Sequence, residues 1–231
     1  MNKRNYQKEL DKVIEGLTNR PSLLLHSCCA PCSSYVLTYL KQYFDITVLY
    51  YNPNIYPPEE WDKRAAEQKR LIDALNRKAS NERADRGTED APDVQAAMIR
   101  FICGEYDPRI FYDMAKGLED VPEGGERCFK CYELRMREAA EYAHDGGYDY
   151  FTTTLSISPL KNAEKINEIG EKLSVEYGVK HLSSDFKKRN GYKISCELSK
   201  EYDLYRQDYC GCVYSRQERQ KRQEMTPEKR I

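Results

Sequence analysis

Three observations place this chain in the α/β class, with a doubly wound, mainly parallel sheet and helices on both faces. Short β-branched, aromatic or leucine-rich runs at 23–25, 46–51 and 148–154 alternate with segments of helical periodicity, and that alternation builds parallel sheets. The first run breaks into a tight turn and then a helix, which leaves unpaired backbone N–H groups where the turn opens the helix. A length of 231 residues suffices for one substantial core.

The elements follow in order. Tyr6, Leu10, Val13, Ile14 and Leu17 recur at helical spacing, so residues 1–20 read as an amphipathic extension ending before Pro21. Residues 23–25 are the first strand, and a helix over 33–44 carries Val36, Leu37 and Leu40 on one face. After the strand at 46–51, the proline-rich run Asn52-Pro53-Asn54-Ile55-Tyr56-Pro57-Pro58 is a structured loop, and Pro58 opens a helix that reaches residue 75. Polar residues 76–92 are expected to be mobile. From 81 to 126 the chain carries twelve Asp or Glu against five Lys or Arg, with a strand expected at 97–103 and a short helix at 108–116. Helices at 126–142, 159–177 and 198–205 and strands at 148–154 and 179–182 complete the pattern. The domain spans 21–215, and 216–231 reads as a polar tail whose last ten residues are expected to be disordered.

Charge excludes little. The formal net charge is −1 with 32% charged residues, so a polyanionic partner must be met by a local patch rather than by the whole surface. No stretch approaches the ~20 apolar residues of a membrane span, and the N-terminus has no signal-peptide core, so a cytoplasmic protein without membrane contact is expected. Nine cysteines, an odd count, then point to metal binding or redox chemistry rather than to a disulfide scaffold.

The cysteines are grouped. Cys28 and Cys29 are adjacent and Cys32 follows three residues on; Cys128 and Cys131 form a Cys-x-x-Cys at a helix start; Cys210 and Cys212 form a Cys-x-Cys. Thiolates so spaced suit tetrahedral zinc or an iron–sulfur cluster, and the adjacent pair favours several neighbouring irons or metals over a single zinc. Cys210 and Cys212 suit cluster ligands, ligands of a second metal or a redox-active dithiol; the last is favoured, because a Cys-x-Cys disulfide closes a very short ring and is easily reduced, which suits an electron relay. Cys103 and Cys196 stand alone and read as small buried side chains.

Six separated motifs, in order, resemble the cobalamin-independent epoxyqueuosine reductases of the QueH type. They are His26-Ser27-Cys28-Cys29-Ala30-Pro31-Cys32, Tyr51-Asn52-Pro53-Asn54-Ile55-Tyr56-Pro57, Glu126-Arg127-Cys128-Phe129-Lys130-Cys131, the run from Thr153 through Ser156, Ser158 and Lys161 to Asn162, Asp185-Phe186-Lys187-Lys188, and the run from Tyr205 to Ser215. The resemblance covers residues 22–215 and implies a HUP-like (Rossmann-like) fold. It also implies two-electron removal of the epoxide oxygen from epoxyqueuosine at the wobble position of tRNA, with a tRNA substrate and an electron donor as partners. By the same resemblance Cys28, Cys29, Cys128 and Cys131 hold a 4Fe-4S cluster and Cys210 and Cys212 are a redox-active pair. A second, mononuclear iron is also implied, with Cys32, Cys210 and Cys212 as its candidate ligands.

Opening an epoxide needs an acid at its oxygen and two electrons. Asp185, Asp208, Tyr209 and His26 are candidate proton donors. Ser156, Ser158 and Lys161 follow a strand end on the same rim as the cysteine turn, and Ser158-Pro159 reads as a helix N-cap and first turn. Asn52, Asn54 and Tyr56 are expected to reach a base from the adjoining loop. The run Lys187-Lys188-Arg189-Asn190-Gly191-Tyr192-Lys193 suits the phosphates of an anticodon stem-loop. Two other readings compete: an ATP-using iron–sulfur tRNA thiolase, which needs a glycine-rich phosphate loop that residues 26–32 lack, and a zinc-stabilised RNA-binding module.

Overall fold

The computed structural model describes residues 4–84 and 98–224. Its sheet has five parallel strands, β1 (Ser22–His26), β2 (Asp45–Tyr50), β3 (Arg100–Cys103), β4 (Tyr150–Thr153) and β5 (Lys180–His181), in the spatial order β3-β2-β1-β4-β5. Leu24 of β1 pairs with Thr47 on one side and Phe151 on the other. The chain builds outward from β1 to β3, then returns across β1 to lay down β4 and β5. Loops leaving the carboxyl ends of β1 and β4 therefore diverge, and a crevice opens between them.

Among the described residues, eight helices surround the sheet: α1 (Tyr6–Glu15), α2 (Ala30–Leu40), α3 (Pro58–Ala84), α4 (Pro108–Ala115), α5 (Glu126–Asp145), α6 (Ala163–Tyr177), α7 (Gly191–Glu201) and α8 (Val213–Glu224). Successive strand side chains point to opposite faces. Leu23, Leu25, Ile46 and Val48 thus join Val36, Leu37, Leu40 and Leu71 in one core. On the other face Leu24, Leu49 and Phe151 pack against Met136, Ala139, Ala140, Ile166 and Leu173. Burial on both faces is what a parallel sheet requires.

Several elements differ from the expectation. Helix α2 begins at Ala30 rather than 33, because Cys29 is extended (φ −174°, ψ 157°) and serves as N-cap while Pro31 fits the first turn, which puts Cys32 inside the helix. Helix α3 continues through the first part of the polar stretch; Asn76 there exchanges two side-chain hydrogen bonds of 3.0 Å with the Ile99 backbone and so ties α3 to the start of β3. The rest of 76–92, from 85 on, lies outside the described residues. Ser158-Pro159 does not cap a helix: a 3-10 turn (Thr154–Ile157) follows β4, and α6 is capped by Asn162, whose Oδ1 accepts from the Lys165 N–H at 3.0 Å. The helix expected at 198–205 is α7, and the polar tail is helical as far as Glu224, with 225–231 outside the described residues.

The position of α7 depends on one glycine. A Cβ on Gly191 would lie 2.0 Å from the Phe186 carbonyl oxygen and 2.6 Å from the Tyr35 ring on α2, so any side chain at the helix start forces backbone to shift. Gly191→Ala is expected to destabilise the protein by about 1–3 kcal/mol in urea unfolding, the usual range for overpacking; an unchanged midpoint would show that this approach tolerates a methyl group.

Candidate metal centre

The turn after β1 is held by buried polar contacts before any sulfur is placed. The Ser27 N–H donates to the Leu49 carbonyl at 2.9 Å, extending the β1–β2 ladder, and Asn52 Nδ2 donates to the Ser27 carbonyl at 2.8 Å. The hydroxyls of Ser27 and Ser33 donate to Gln68 Oε1 of α3 at 2.7 and 2.9 Å. His26 lies below, fully buried. Its Nε2 donates to the Tyr51 carbonyl at 3.0 Å, because a carbonyl only accepts, and Nδ1 therefore accepts from the Thr153 hydroxyl at 2.8 Å. Burial, and then the field of Arg135, push the imidazole down to about 4, so it is a neutral strut joining β1, β2 and β4, which does not suit a proton donor at neutral pH.

On this platform the sulfurs of Cys28, Cys29 and Cys32 all lie within 4.8 Å of one another, with Cys28 and Cys29 Sγ 3.8 Å apart. The Gln207 amide donates to Cys29 Sγ at 2.8 Å. Hydrogen bonds from the Cys29 and Cys32 thiols hold Cys28 well below the usual thiol range. The hydrogen bonds to Cys28, and then its charge, in turn raise the other two, Cys29 to about 12, so the first proton leaves easily and the next ones do not.

Cys128 and Cys131, in the first turns of α5, line a small chamber together with Cys210 and Cys212, which lead into α8. Cys210 also lines a larger cavity of about 290 Å³, whose wall includes Cys28 and Cys32. The two sulfur groups thus adjoin through Cys210. Every group sits at a helix N-terminus, of α2, α5 or α8, where the helix dipole favours a thiolate. Burial alone works the other way: it raises Cys128 and Cys212, and pushes Cys131 up to about 12.

Hydrogen bonds to all three of its carbonyls fix the Cys-x-Cys segment. The Cys210 carbonyl accepts from Arg64 Nη1 at 3.1 Å, the Gly211 carbonyl from the Tyr56 N–H at 2.8 Å, and the Cys212 carbonyl from the Ser215 hydroxyl at 2.9 Å. Gly211 has φ +136°, a conformation open to glycine and rarely to other residues.

Three buried arginines surround the sulfurs, and reading the sequence for cysteines missed them. Arg64 pairs with Glu60 at 2.7 Å and Arg127 with Glu218 at 3.4 Å, while Arg135 pairs with no carboxylate among the described residues. One guanidinium nitrogen of each has no partner: Arg64 Nη2, Arg127 Nε and Arg135 Nη2. The signal was present in helical spacing, since Arg135 falls on the same buried stripe of α5 as Cys131, Tyr132, Met136 and Ala139. Soft thiol donors at helix ends, beside a buried cation without an acid, fit a thiolate-bound metal group of net negative charge.

Comparison with known proteins bears on the same residues. The family profile described as Epoxyqueuosine reductase QueH matches residues 23–218. The Epoxyqueuosine reductase QueH of Staphylococcus epidermidis is 44% identical over 216 residues, covering 91% of this chain and 84% of the relative. That of Streptococcus pyogenes is 42% identical over 214 residues, 91% and 78% of the two chains, and that of Thermotoga maritima 34% over 204 residues, 87% and 93%. The chain belongs to the epoxyqueuosine reductase QueH family.

Of the QueH residues expected at the site, Cys28, Cys32, Ser158, Lys161, Asp208 and Cys210 line the larger cavity, joined by Tyr209. Asn54 lines the sulfur chamber, buried, with Oδ1 unpartnered. Asn52 is buried too, and its amide is taken up by Ser27 and Arg135. Ser156 is buried against Ser184 and the Phe186 N–H, away from the cavity wall. Lys187 turns inward, to the carbonyls of Ser156 and Lys161 at 3.1 and 3.2 Å and to Asp185 at 3.3 Å; Lys188 remains exposed. Tyr56 is exposed beside Arg216 of α8. Asp208 sits at the cavity mouth, 3.4 Å from Arg219, whereas Asp185 is absent from the walls of both cavities. Cys103 was expected to be buried; it ends the edge strand β3 and is exposed, while Cys196 is half-buried.

Burial disfavours the charged form of His26 and of His181, which it pushes down to about 3. Both bind protons more readily unfolded, so the stability tied to their neutral forms is complete above pH ~6.5 and is lost as the pH falls, by about 2 kcal/mol from each at pH 5. Urea unfolding at pH 7 and pH 5 should show this loss, and His181→Gln should recover roughly half of it. A flat profile would mean that the imidazoles are protonated in the folded state.

Proposed function

We infer that this chain is an epoxyqueuosine reductase, an oxidoreductase that removes the epoxide oxygen of epoxyqueuosine at the wobble position of tRNA to leave the cyclopentene of queuosine. The observation that carries this reading is the family match across residues 23–218, joined to a base-sized cavity that brings Cys28 and Cys32 together with the distant Cys210. The reaction takes up two electrons and two protons, breaks two C–O bonds and releases water.

Cys28, Cys29, Cys128 and Cys131 would hold the 4Fe-4S cluster, and Cys32 with the Cys210 and Cys212 pair is available to a second iron. Such a centre, when bound, supplies single electrons and an acid for the epoxide oxygen. The chain's own groups account for the rest. Oxidation of the Cys210 and Cys212 thiols to a disulfide releases two electrons and two protons, which balances the reduction, and an external donor then restores the dithiol. Lys161, half-buried in the cavity wall, stays protonated: burial opposes its charge, and the fields of Cys210, Cys28 and Cys32 outweigh that. Its ammonium offers a hydrogen bond to the developing alkoxide. Asp208 and Tyr209 at the mouth are further candidate proton sources in the wall.

The cavity admits a modified base and leaves the rest of the tRNA outside. The rim carries Tyr192, Arg206, Arg219 and Arg222, so an aromatic surface and guanidinium groups face the flanking nucleotides. No described helix is long and apolar enough to cross a membrane, and we place the enzyme in the cytoplasm with its substrate.

The test is anaerobic purification with iron, sulfide and zinc quantified, followed by turnover of epoxyqueuosine-containing tRNA with a chemical reductant. Iron and sulfide in cluster proportions with formation of queuosine are expected; a zinc-only protein that fails to take up iron on reconstitution would overturn the reading in favour of a zinc-stabilised RNA-binding module. Cys210→Ser and Cys212→Ser should each abolish turnover with cluster iron retained, and loss of that iron would instead make these residues ligands. Arg219→Gln combined with Arg222→Gln should weaken tRNA binding and flatten its salt dependence by about 0.7–0.9 in log–log slope per lost phosphate contact; an unchanged slope would move the tRNA off α8.

A further inference from the structure

Arg135 occupies a position that the epoxide chemistry does not by itself explain. It lies one helical turn after Cys131 on α5 and is 1% exposed. Its Nε donates to the Cys131 carbonyl at 3.1 Å and Nη1 to Asn52 Oδ1 at 3.4 Å, while Nη2 has no partner. Arg64 and Arg127 have the same depth, but each has a carboxylate, Glu60 and Glu218. Among the described residues, Arg135 is thus the buried arginine of this region whose charge no acid offsets.

A guanidinium cannot shed its proton to escape burial, so an uncompensated one is tolerated only where an anion arrives. With Cys128, Cys131, Cys210 and Cys212, Arg135 lines the sulfur chamber. Four thiolates around zinc, or around an oxidised 4Fe-4S cluster, carry a net double negative charge, and one-electron reduction of the cluster adds another.

We propose that Arg135 is the built-in counter-charge of the metal–thiolate assembly, placed to favour metal capture and to make the assembly easier to reduce. Asn52 is its positioning residue. One amide end of Asn52 holds the cysteine turn through the Ser27 carbonyl at 2.8 Å and the other holds the guanidinium, so the turn and α5 are kept in step. The proposal rests on the thiols being metal ligands, and it holds for either metal because it concerns the charge of the assembly alone.

Two measurements on the full chain test it. With Co²⁺ as probe, followed by its thiolate charge-transfer band, Arg135→Gln should weaken binding about tenfold or more, the effect of removing a neighbouring opposite charge, while Arg135→Lys should stay within about threefold of the wild type. In the anaerobically reconstituted protein, dye-mediated titration with dithionite should give a more negative midpoint potential for Arg135→Gln and one close to wild type for Arg135→Lys. Equal cobalt affinity in Arg135→Gln and wild type, or a lysine variant that behaves like the glutamine one, would overturn the charge role and leave a hydrogen-bonding one. A wild type that binds cobalt but takes up no iron would overturn the iron–sulfur reading alone, and the cobalt comparison would still decide the charge proposal.

Discussion

Burying seven grouped thiols beside fixed cations is the constraint on which the rest of this structure depends. In a dry interior a thiol keeps its proton, as the upward shifts of Cys128, Cys131 and Cys212 show. The fold answers with fixed positive charge. Three helix N-termini bring the sulfurs in, Arg64, Arg127 and Arg135 lie among them, and Lys161 completes the wall. Each of these charges is itself costly to bury. Thiols and cations are therefore mutually dependent, and a substitution on one side changes the energetics of the other.

The sheet topology makes the meeting possible. Because strand order reverses between β1 and β4, the cysteine turn after β1 and the 3-10 turn after β4 open on the same crevice, with Cys28 Sγ 3.9 Å from the Thr154 hydroxyl. The two segments that bring the remaining sulfurs come from outside the sheet. Helix α5 packs on β1 and β4 and presents Cys128 and Cys131 from its first turns. The segment before α8 is threaded over the crevice by hydrogen bonds to backbone: Arg64 and Tyr56 each hold one carbonyl of the Cys-Gly-Cys run.

Helix α8 shows how a segment of polar composition acquires a defined place. It buries little apolar surface, and Ser215 is its one buried residue. It is held instead by specific polar contacts: the Ser215 N–H reaches Cys212 Sγ at 3.4 Å, and Glu218 accepts from the Glu123 N–H at 3.0 Å while pairing with Arg127. The face left over carries the arginines at the mouth of the cavity. A run rich in Arg and Gln therefore serves as the outer wall of the site.

By itself the sequence determined the fold class, the strands, the strand-turn-helix start and the seven grouped cysteines, because these depend on local spacing and residue type. It also carried six motifs specific enough to point to the reductase family. Only the tertiary structure decided which groups surround the sulfurs. That His26 is a neutral strut, that Asn52 braces the turn, that Lys187 points inward and that Arg135 lines the sulfur chamber beside Asn52 all depend on contacts between residues far apart in the chain. Short-range pattern sets whether a residue falls on a buried face; what it meets there is set by the strand order, which brings β1, β4, α5 and the approach to α8 to one crevice.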